Sequence, residues 1–197
     1  MRIIVATKNK GKIKEIGEIL EPFNIEVISQ ADAGIDVDVD ETGSTFLENA
    51  LIKARAVSML CDEPVLADDS GLLIDALDGR PGVYSARYGG DVSYEEKINK
   101  LLSEMEGKTD RKARFECVMA LVFPDGREVV AKGECHGKIL EEPIGENGFG
   151  FDPVFYSDEL KCGFAVCKDE DKNSVSHRGK ALLALRDKIK EIIEKED

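Results

Sequence analysis

The chain has no run of about 18 or more consecutive apolar residues, so no segment of it reads as a transmembrane helix. Met1-Arg2-Ile3-Ile4 leads straight into a strand-like apolar stretch and lacks the layout of a secretory signal, so the expectation is a cytoplasmic protein. Positive charge is scarce: 27 Lys and Arg stand against 40 Asp and Glu, a formal net charge of −13. Polyanion binding is driven by dense basic surfaces, so neither a nucleic acid polymer nor a membrane is an expected partner. Internal repeats, low-complexity tracts and Pro/Ser-rich linkers are also missing. With 42% apolar content, 197 residues suit a single domain over 1–197 with room for two lobes. The five cysteines (Cys61, Cys117, Cys135, Cys162, Cys167) are odd in number and lie mostly in apolar stretches, which reads as buried free thiols. Cys162 with Cys167 is too sparse for a metal site.

What is present alternates between strand and helix patterns. Ile3-Ile4-Val5-Ala6 predicts a first strand, Ile13, Ile16 and Leu20 a helix after it, and Ile25-Glu26-Val27-Ile28 a second strand, with Val37-Asp38-Val39 a short extended piece. Thr45-Phe46-Leu47-Glu48 has capping-box spacing and predicts a helix from about Phe46 to Cys61. Val65-Leu66-Ala67 is a buried strand that delivers Asp68-Asp69-Ser70-Gly71, after which Leu72-Leu73-Ile74 resumes apolar character. Ser93-Tyr94-Glu95-Glu96 caps a helix with Ile98, Leu101, Leu102 and Met105 on one face. Phe115 to Phe123 and Glu128 to Cys135 flank the turn Pro124-Asp125-Gly126-Arg127 as a hairpin. A last helix, about Gly179 to Lys195, sets Leu182, Leu185, Ile189 and Ile192 at core spacing. Parallel-type alternation early and a hairpin later predict an α/β fold, a mixed β-sheet with flanking helices.

Thr7-Lys8-Asn9-Lys10-Gly11-Lys12 lies between the first strand and its helix, where backbone N–H groups and clustered lysines favour anions. It is not a P-loop, because Thr7 and Ile13 stand where that motif needs Gly and Ser/Thr; a solvated surface loop is the plainer alternative. Adjacent Asp68 and Asp69 at the end of an apolar run are costly unless a cation or hydrogen bonds compensate. Strand alternation points them to opposite sides, so one of them meets a metal and the other holds structure; a turn capping the strand is the alternative. Glu41 closes an acidic stretch, and with Asp69 it would suffice for Mg²⁺, which uses one or two carboxylates plus waters and phosphate oxygens. Lys53 is placed to neutralise phosphate. A few lysines and a divalent cation let even an acidic protein hold a nucleoside triphosphate.

Near the other end, Gly148-Phe149-Gly150-Phe151-Asp152 joins glycines that permit close backbone approach with rings that offer π-faces to a base, at least one of which core packing would also explain. Lys172 and Ser176-His177-Arg178-Gly179 follow. Cationic residues at a helix N-terminus oppose its dipole, and an anionic or carbonyl-bearing ligand would account for them. His136 reads as structural or surface.

These blocks, in this order, resemble the inosine/xanthosine triphosphate pyrophosphatase family. The match includes Glu41-Thr42-Gly43-Ser44-Thr45-Phe46-Leu47-Glu48-Asn49-Ala50 and Pro81-Gly82-Val83-Tyr84-Ser85-Ala86-Arg87-Tyr88 as well as the motifs above, and runs from Thr7 to about Leu185. The resemblance implies a homodimer of two-lobed α/β subunits with a central nucleotide cleft. It implies hydrolysis of ITP, dITP and XTP to the monophosphate and pyrophosphate with Mg²⁺. Thr7, Lys8, Asn9, Lys10, Gly11, Lys12 and Lys53 would hold the triphosphate. Glu41 and Asp69 would bind the metal, Asp69 would act as general base, and Ser70 would touch substrate. Phe149, Gly150, Phe151, Asp152, Lys172, His177 and Arg178 would hold the base. A protein that binds nucleotide without turnover is the rival reading; it would lack the metal carboxylates.

Overall fold

The computed structural model describes residues 2–193, excepting the side chains of 191–193. Strand β1 (Arg2–Val5) and helix α1 (Lys10–Leu20) are followed by β2 (Glu26–Ser29), α2 (Phe46–Ser58), β3 (Val65–Ile74) and α3 (Tyr94–Glu104). Then come β4 (Lys112–Val122), β5 (Glu128–Ile139), β6 (Phe155–Ser157), β7 (Cys162–Gly163), α4 (Asp169–Val175) and α5 (His177–Ile193). The strands hydrogen-bond in the order β2-β1-β3-β4-β5-β6-β7. Pairing of β1 with β2 and with β3 is parallel, and pairing of β6 with β5 and with β7 is antiparallel, so the sheet is mixed as expected.

The chain divides into two compact units. The first gathers the chain up to Asp69, Cys117–Gly133 and the chain from Arg178 onward; the second gathers Ser70–Glu116 and Glu134–His177. In the first, Ile3, Val5, Leu66, Met119 and Leu121 of the strands pack with Ile16 and Leu20 of α1 and Leu182, Leu185 and Ile189 of α5. In the second, Leu72, Ile74, Phe115, Ile139 and Phe155 pack with Ile98 and Leu101 of α3, with Met105 at its C-cap and with Phe164. Helices α1, α3 and α5 thus turn apolar residues spaced three and four apart into these cores.

Four expectations change. The strand expected at Val65-Leu66-Ala67 runs on unbroken from Val65 to Ile74, with Asp68 and Asp69 in its middle, which rules out the alternative of a capping turn. Residues 37–39 are irregular. Helix α2 ends at Ser58, three residues short of Cys61. Cys162 and Cys167 form a disulfide, leaving Cys61, Cys117 and Cys135 free. The reversal between β7 and α4 brings the two Cα atoms to 6.7 Å, which apolar context alone does not reveal. The expected helix end at Lys195 and the Ile192 side chain lie outside what is described.

Candidate active site

In the first unit, the loop between β1 and α1 is built on its own side chains. The Thr7 hydroxyl accepts from the Asn9 N–H at 3.2 Å, and Asn9 caps α1 by accepting from the Lys12 N–H at 3.1 Å. The first turn of α1 thus begins at an exposed loop, with Lys8 and Lys10 in solvent and Gly11 and Lys12 half-buried. Lys8 stands 3.6 Å from Asp38 and 3.9 Å from Asp36, while Lys12 turns inward to Asp68 at 3.0 Å.

Asp68 and Asp69 do face opposite ways, as strand alternation requires. Asp68 is wholly buried, 3.0 Å from Lys12 and 3.0 Å from Arg178, whose other terminal nitrogen is paired with Glu15. Burial works to raise the Asp68 pKa, but Lys12, Arg178 and Lys53 outweigh it and hold the carboxyl far below its ordinary range. Arg178, the second residue of α5, therefore has its charge neutralised by two carboxylates, which removes the dipole argument for a ligand at that point. The guanidinium expected to hold a base lies in this network.

Asp69, 5% exposed, is gripped from α2: Asn49 donates to its carboxylate at 2.9 Å, and the Lys53 ammonium stands 3.8 Å away. Lys53 also donates to Glu41 at 2.5 Å and to the Asp68 carbonyl at 2.7 Å. Burial raises the Asp69 pKa and the nearby Glu41 adds to it, against Lys53. Burial likewise opposes charge on Lys53, yet Asp68, Asp69 and Glu41 prevail and its pKa is raised. Asn49 is a clamp, because it accepts from the Gly43 N–H at 2.8 Å while donating to Asp69. A Cβ on Gly43 would stand 2.6 Å from the Glu48 Cβ and 2.7 Å from the Asn49 Oδ1, so only glycine lets the chain pass there. Glu48 is occupied as the cap of α2, accepting from Ser44 and Thr45.

No group of three or more His, Cys, Asp or Glu poised for a metal exists among the described residues. Two carboxylates repelling each other beside one ammonium are still a donor set that suits a hard divalent cation, completed by water and phosphate oxygens. Ser70, next in β3, is half-buried.

In the second unit, Gly148 and Gly150 take φ of 76° and 68°, a backbone that favours glycine, and the turn they frame is tied down by Asp152. Its carboxylate accepts from the Phe149 N–H at 2.8 Å and from Lys172 Nζ at 2.7 Å, with both charged side chains buried. The Lys172 ammonium also lies 5.1 Å from the centre of the Phe149 ring. Phe149 stays half-buried, whereas Phe151 is 3% exposed in the core, edge-on to Tyr88 and Tyr94. Of the two expected rings, one is therefore core. His177 is buried and stacked on Phe115, with centroids 4.7 Å apart. His177 and Arg178 are neighbours in sequence, yet they belong to different units, since successive helix residues diverge by about 100°. His136, largely exposed, stands 3.1 Å from Glu134.

Sequence reasoning missed Asn49 and Glu15. Both are polar residues on the apolar face of a helix, and that misplacement is the signal that could have found them.

Comparison with known proteins adds a second line. The Ham1 family model matches residues 3–188. The dITP/XTP pyrophosphatase of Bacillus anthracis is 47% identical over 195 residues, covering 96% of each chain. That of Desulforamulus reducens is 50% identical over 185 residues, covering 92% of each. The Ham1 protein of Staphylococcus aureus superposes with a TM-score of 0.84 at 41% identity over 100% of both chains. A HAM1 protein from Coxiella burnetii gives 0.86 at 41% identity, covering 97% of this chain and 99% of its own.

Proposed function

This chain belongs to the Ham1 family, and we propose on that premise that it hydrolyses the non-standard purine triphosphates ITP, dITP and XTP to the nucleoside monophosphate and pyrophosphate. The observation that carries the reading to named atoms is Asp69. It is a buried carboxylate with a raised pKa, fixed by Asn49 and flanked by Glu41 and Lys53.

Water attacks the α-phosphorus and the bond to the bridging oxygen of the β-phosphate breaks, so that pyrophosphate departs. Asp69 accepts the proton lost by the water, a task that its raised pKa favours. Thr7, Lys8, Asn9, Lys10, Gly11 and Lys12 hold the polyphosphate through the first turn of α1 and the lysine charges. Lys53 balances Asp69 and Glu41 before substrate arrives, and Ser70 contacts the substrate. Glu41 and Asp69 are the residues to hold Mg²⁺, which would offset the charge of the phosphates and of the departing group. The two tasks of Asp69 compete, and Asn49 holds one of its oxygens fixed while the other is left toward Lys53.

The base belongs to the second unit in this reading. Phe149 offers the stacking face. Lys172, whose ammonium is paired with Asp152, supplies the N–H donor for the 6-oxo group of inosine or xanthine. Adenine places an amino donor there instead, and donor facing donor discriminates by about 10⁴ or more. His177 and Phe151 shape the surroundings, and Arg178 acts through Asp68. The family resemblance also carries a homodimer, which light scattering at assay concentration tests.

The decisive assay is product identity with dITP, XTP, GTP and ATP. Pyrophosphate from the first two is expected, and a diphosphate with inorganic phosphate excludes attack at the α-phosphorus. Asp69→Asn is expected to lower kcat by about 10³-fold while XMP still binds; turnover at the wild-type rate would remove Asp69 from its role.

A further inference from the structure

Tyr94 is the first residue of α3, and the cap at Ser93 fixes where it stands. The Ser93 hydroxyl accepts from the Glu96 N–H at 3.2 Å while the Glu96 carboxylate accepts from the Ser93 N–H at 2.9 Å. From that point the phenol ring lies against the turn that carries Phe149. A Cβ placed on Gly150 would be 3.6 and 3.8 Å from two ring carbons and 3.9 Å from the hydroxyl, and Phe151 meets the ring edge-on with centroids 5.7 Å apart and planes at 85°. Beyond the ring, the buried Lys97 ammonium stands 4.9 Å from its centre and is itself held by the Ala86 carbonyl at 2.6 Å. The same turn is tied to Lys172 through Asp152. It is thus restrained by a hydrogen-bonded ion pair and by a ring clamped between an ammonium and a glycine. The phenol's pKa is raised by burial and then by the Asp152 carboxylate, consistent with a hydroxyl on the Asp152 side of the turn.

We propose that Tyr94 is a positioning residue for the base: its ring supports the 148–152 turn from the side of Gly150 and so sets the place of Phe149. The assignment rests on the proposed function, in which Phe149 stacks on the base. The ring, rather than the hydroxyl, carries the role, because the contacts it makes are edge, face and backbone contacts. Its loss acts on the binding of the base and leaves phosphate chemistry alone.

The test is steady-state pyrophosphate release from XTP by wild type, Tyr94→Ala and Tyr94→Phe, with XMP titrated into each by calorimetry. Loss of one well-packed aromatic contact corresponds to about tenfold in affinity. Tyr94→Ala is therefore expected to raise KM and weaken XMP by about tenfold with kcat held within about twofold, and Tyr94→Phe to stay within about twofold of wild type throughout. A Tyr94→Ala defect confined to kcat, an unchanged KM, or a Tyr94→Phe protein as weak as Tyr94→Ala overturns the role. If Tyr94→Ala does not fold, Tyr94→Leu keeps bulk without a flat ring, and the same outcomes decide. No pyrophosphate from wild type sinks the proposed activity itself, whereas release with unaltered variants sinks only Tyr94.

Discussion

In the first unit the functional side chains are held by charge, and in the second mostly by rings. Around the middle of β3, the carboxylates of Glu15, Glu41, Asp68 and Asp69 stand among the cations of Lys12, Lys53 and Arg178, four against three. The second unit has the buried Asp152–Lys172 pair, and around it Phe115, Phe149, Phe155, Phe164 and His177 in mutual ring contact or under the Lys172 ammonium. The two arrangements fail differently. Ion pairs out of water are favourable only while every partner is present, so a single deletion strands a charge. Ring packing loses affinity by increments, because each contact is small and its neighbours shift into the gap. The charge count also has a consequence for chemistry: the excess carboxylate sits where polyphosphate is proposed to bind, which is the arrangement that calls for a divalent cation.

Deleting Arg178 tests the contrast hardest. Arg178→Ala leaves Glu15 and Asp68 buried without their shared guanidinium, and stability measured by urea unfolding is expected to fall by about 3–5 kcal/mol. Lysine is expected to rescue little, because one ammonium does not span two carboxylates as a planar fork does. A loss under about 1 kcal/mol would mean that Lys12 alone balances Asp68, and the contrast between the units would collapse.

That network was only partly legible in the sequence. Apolar spacing gave the strands and helices because burial of one stripe or one run is a local pattern, the ordered motif blocks gave Glu41 and Asp69, and Lys53 followed from its place on the helix after Glu48. What makes Asp68 tolerable in mid-strand comes from Lys12 and Arg178, 56 residues before it and 110 after it, and no window along the chain contains that arithmetic. Hence a turn at Asp68 stood as the alternative to a strand running through it. Phe149 and Phe151 are equivalent as letters two positions apart, and only the presence of Tyr88 and Tyr94 decides that Phe151 is core. Asn49, Glu15 and Tyr94 share this cause: each acts through a residue distant in sequence.

A smaller effect is confined to one unit. Reduction of Cys162–Cys167 opens a loop whose ends are five residues apart, and a chain-entropy treatment assigns such a closure about 2 kcal/mol. The enclosed loop supplies the Ala165 carbonyl that accepts from the Asn147 N–H at 3.0 Å and the Cys167 carbonyl that accepts from its side chain at 3.3 Å, just before the Gly148 turn. Treatment with a dithiol is expected to weaken XMP binding and speed amide exchange at residues 144–152, while β1 and α1 keep their protection. Equal loss of protection in both regions would show that the units do not unfold separately.

The smallest effect supplies an internal control. Each unit contains a complete capping box: Thr45 with Glu48 at α2 in the first, and Ser93 with Glu96 at α3 in the second. The chemistry is the same in both, a hydroxyl accepting from the third helical N–H at 3.2 Å and a carboxylate reaching back to the cap. Thr45→Ala and Ser93→Ala are each expected to cost about 1 kcal/mol in urea unfolding. Equal losses mean that local helix energetics do not distinguish the units, so that a large response to Arg178→Ala reports the charge network itself. A loss from Thr45→Ala that exceeds the Ser93→Ala loss by more than about 1 kcal/mol would show instead that α2 transmits its cap to Asn49 and Lys53 and through them to Asp69. In that event the contrast would lie in how tightly each helix is coupled to its site, and the Arg178 result would have to be reread in those terms.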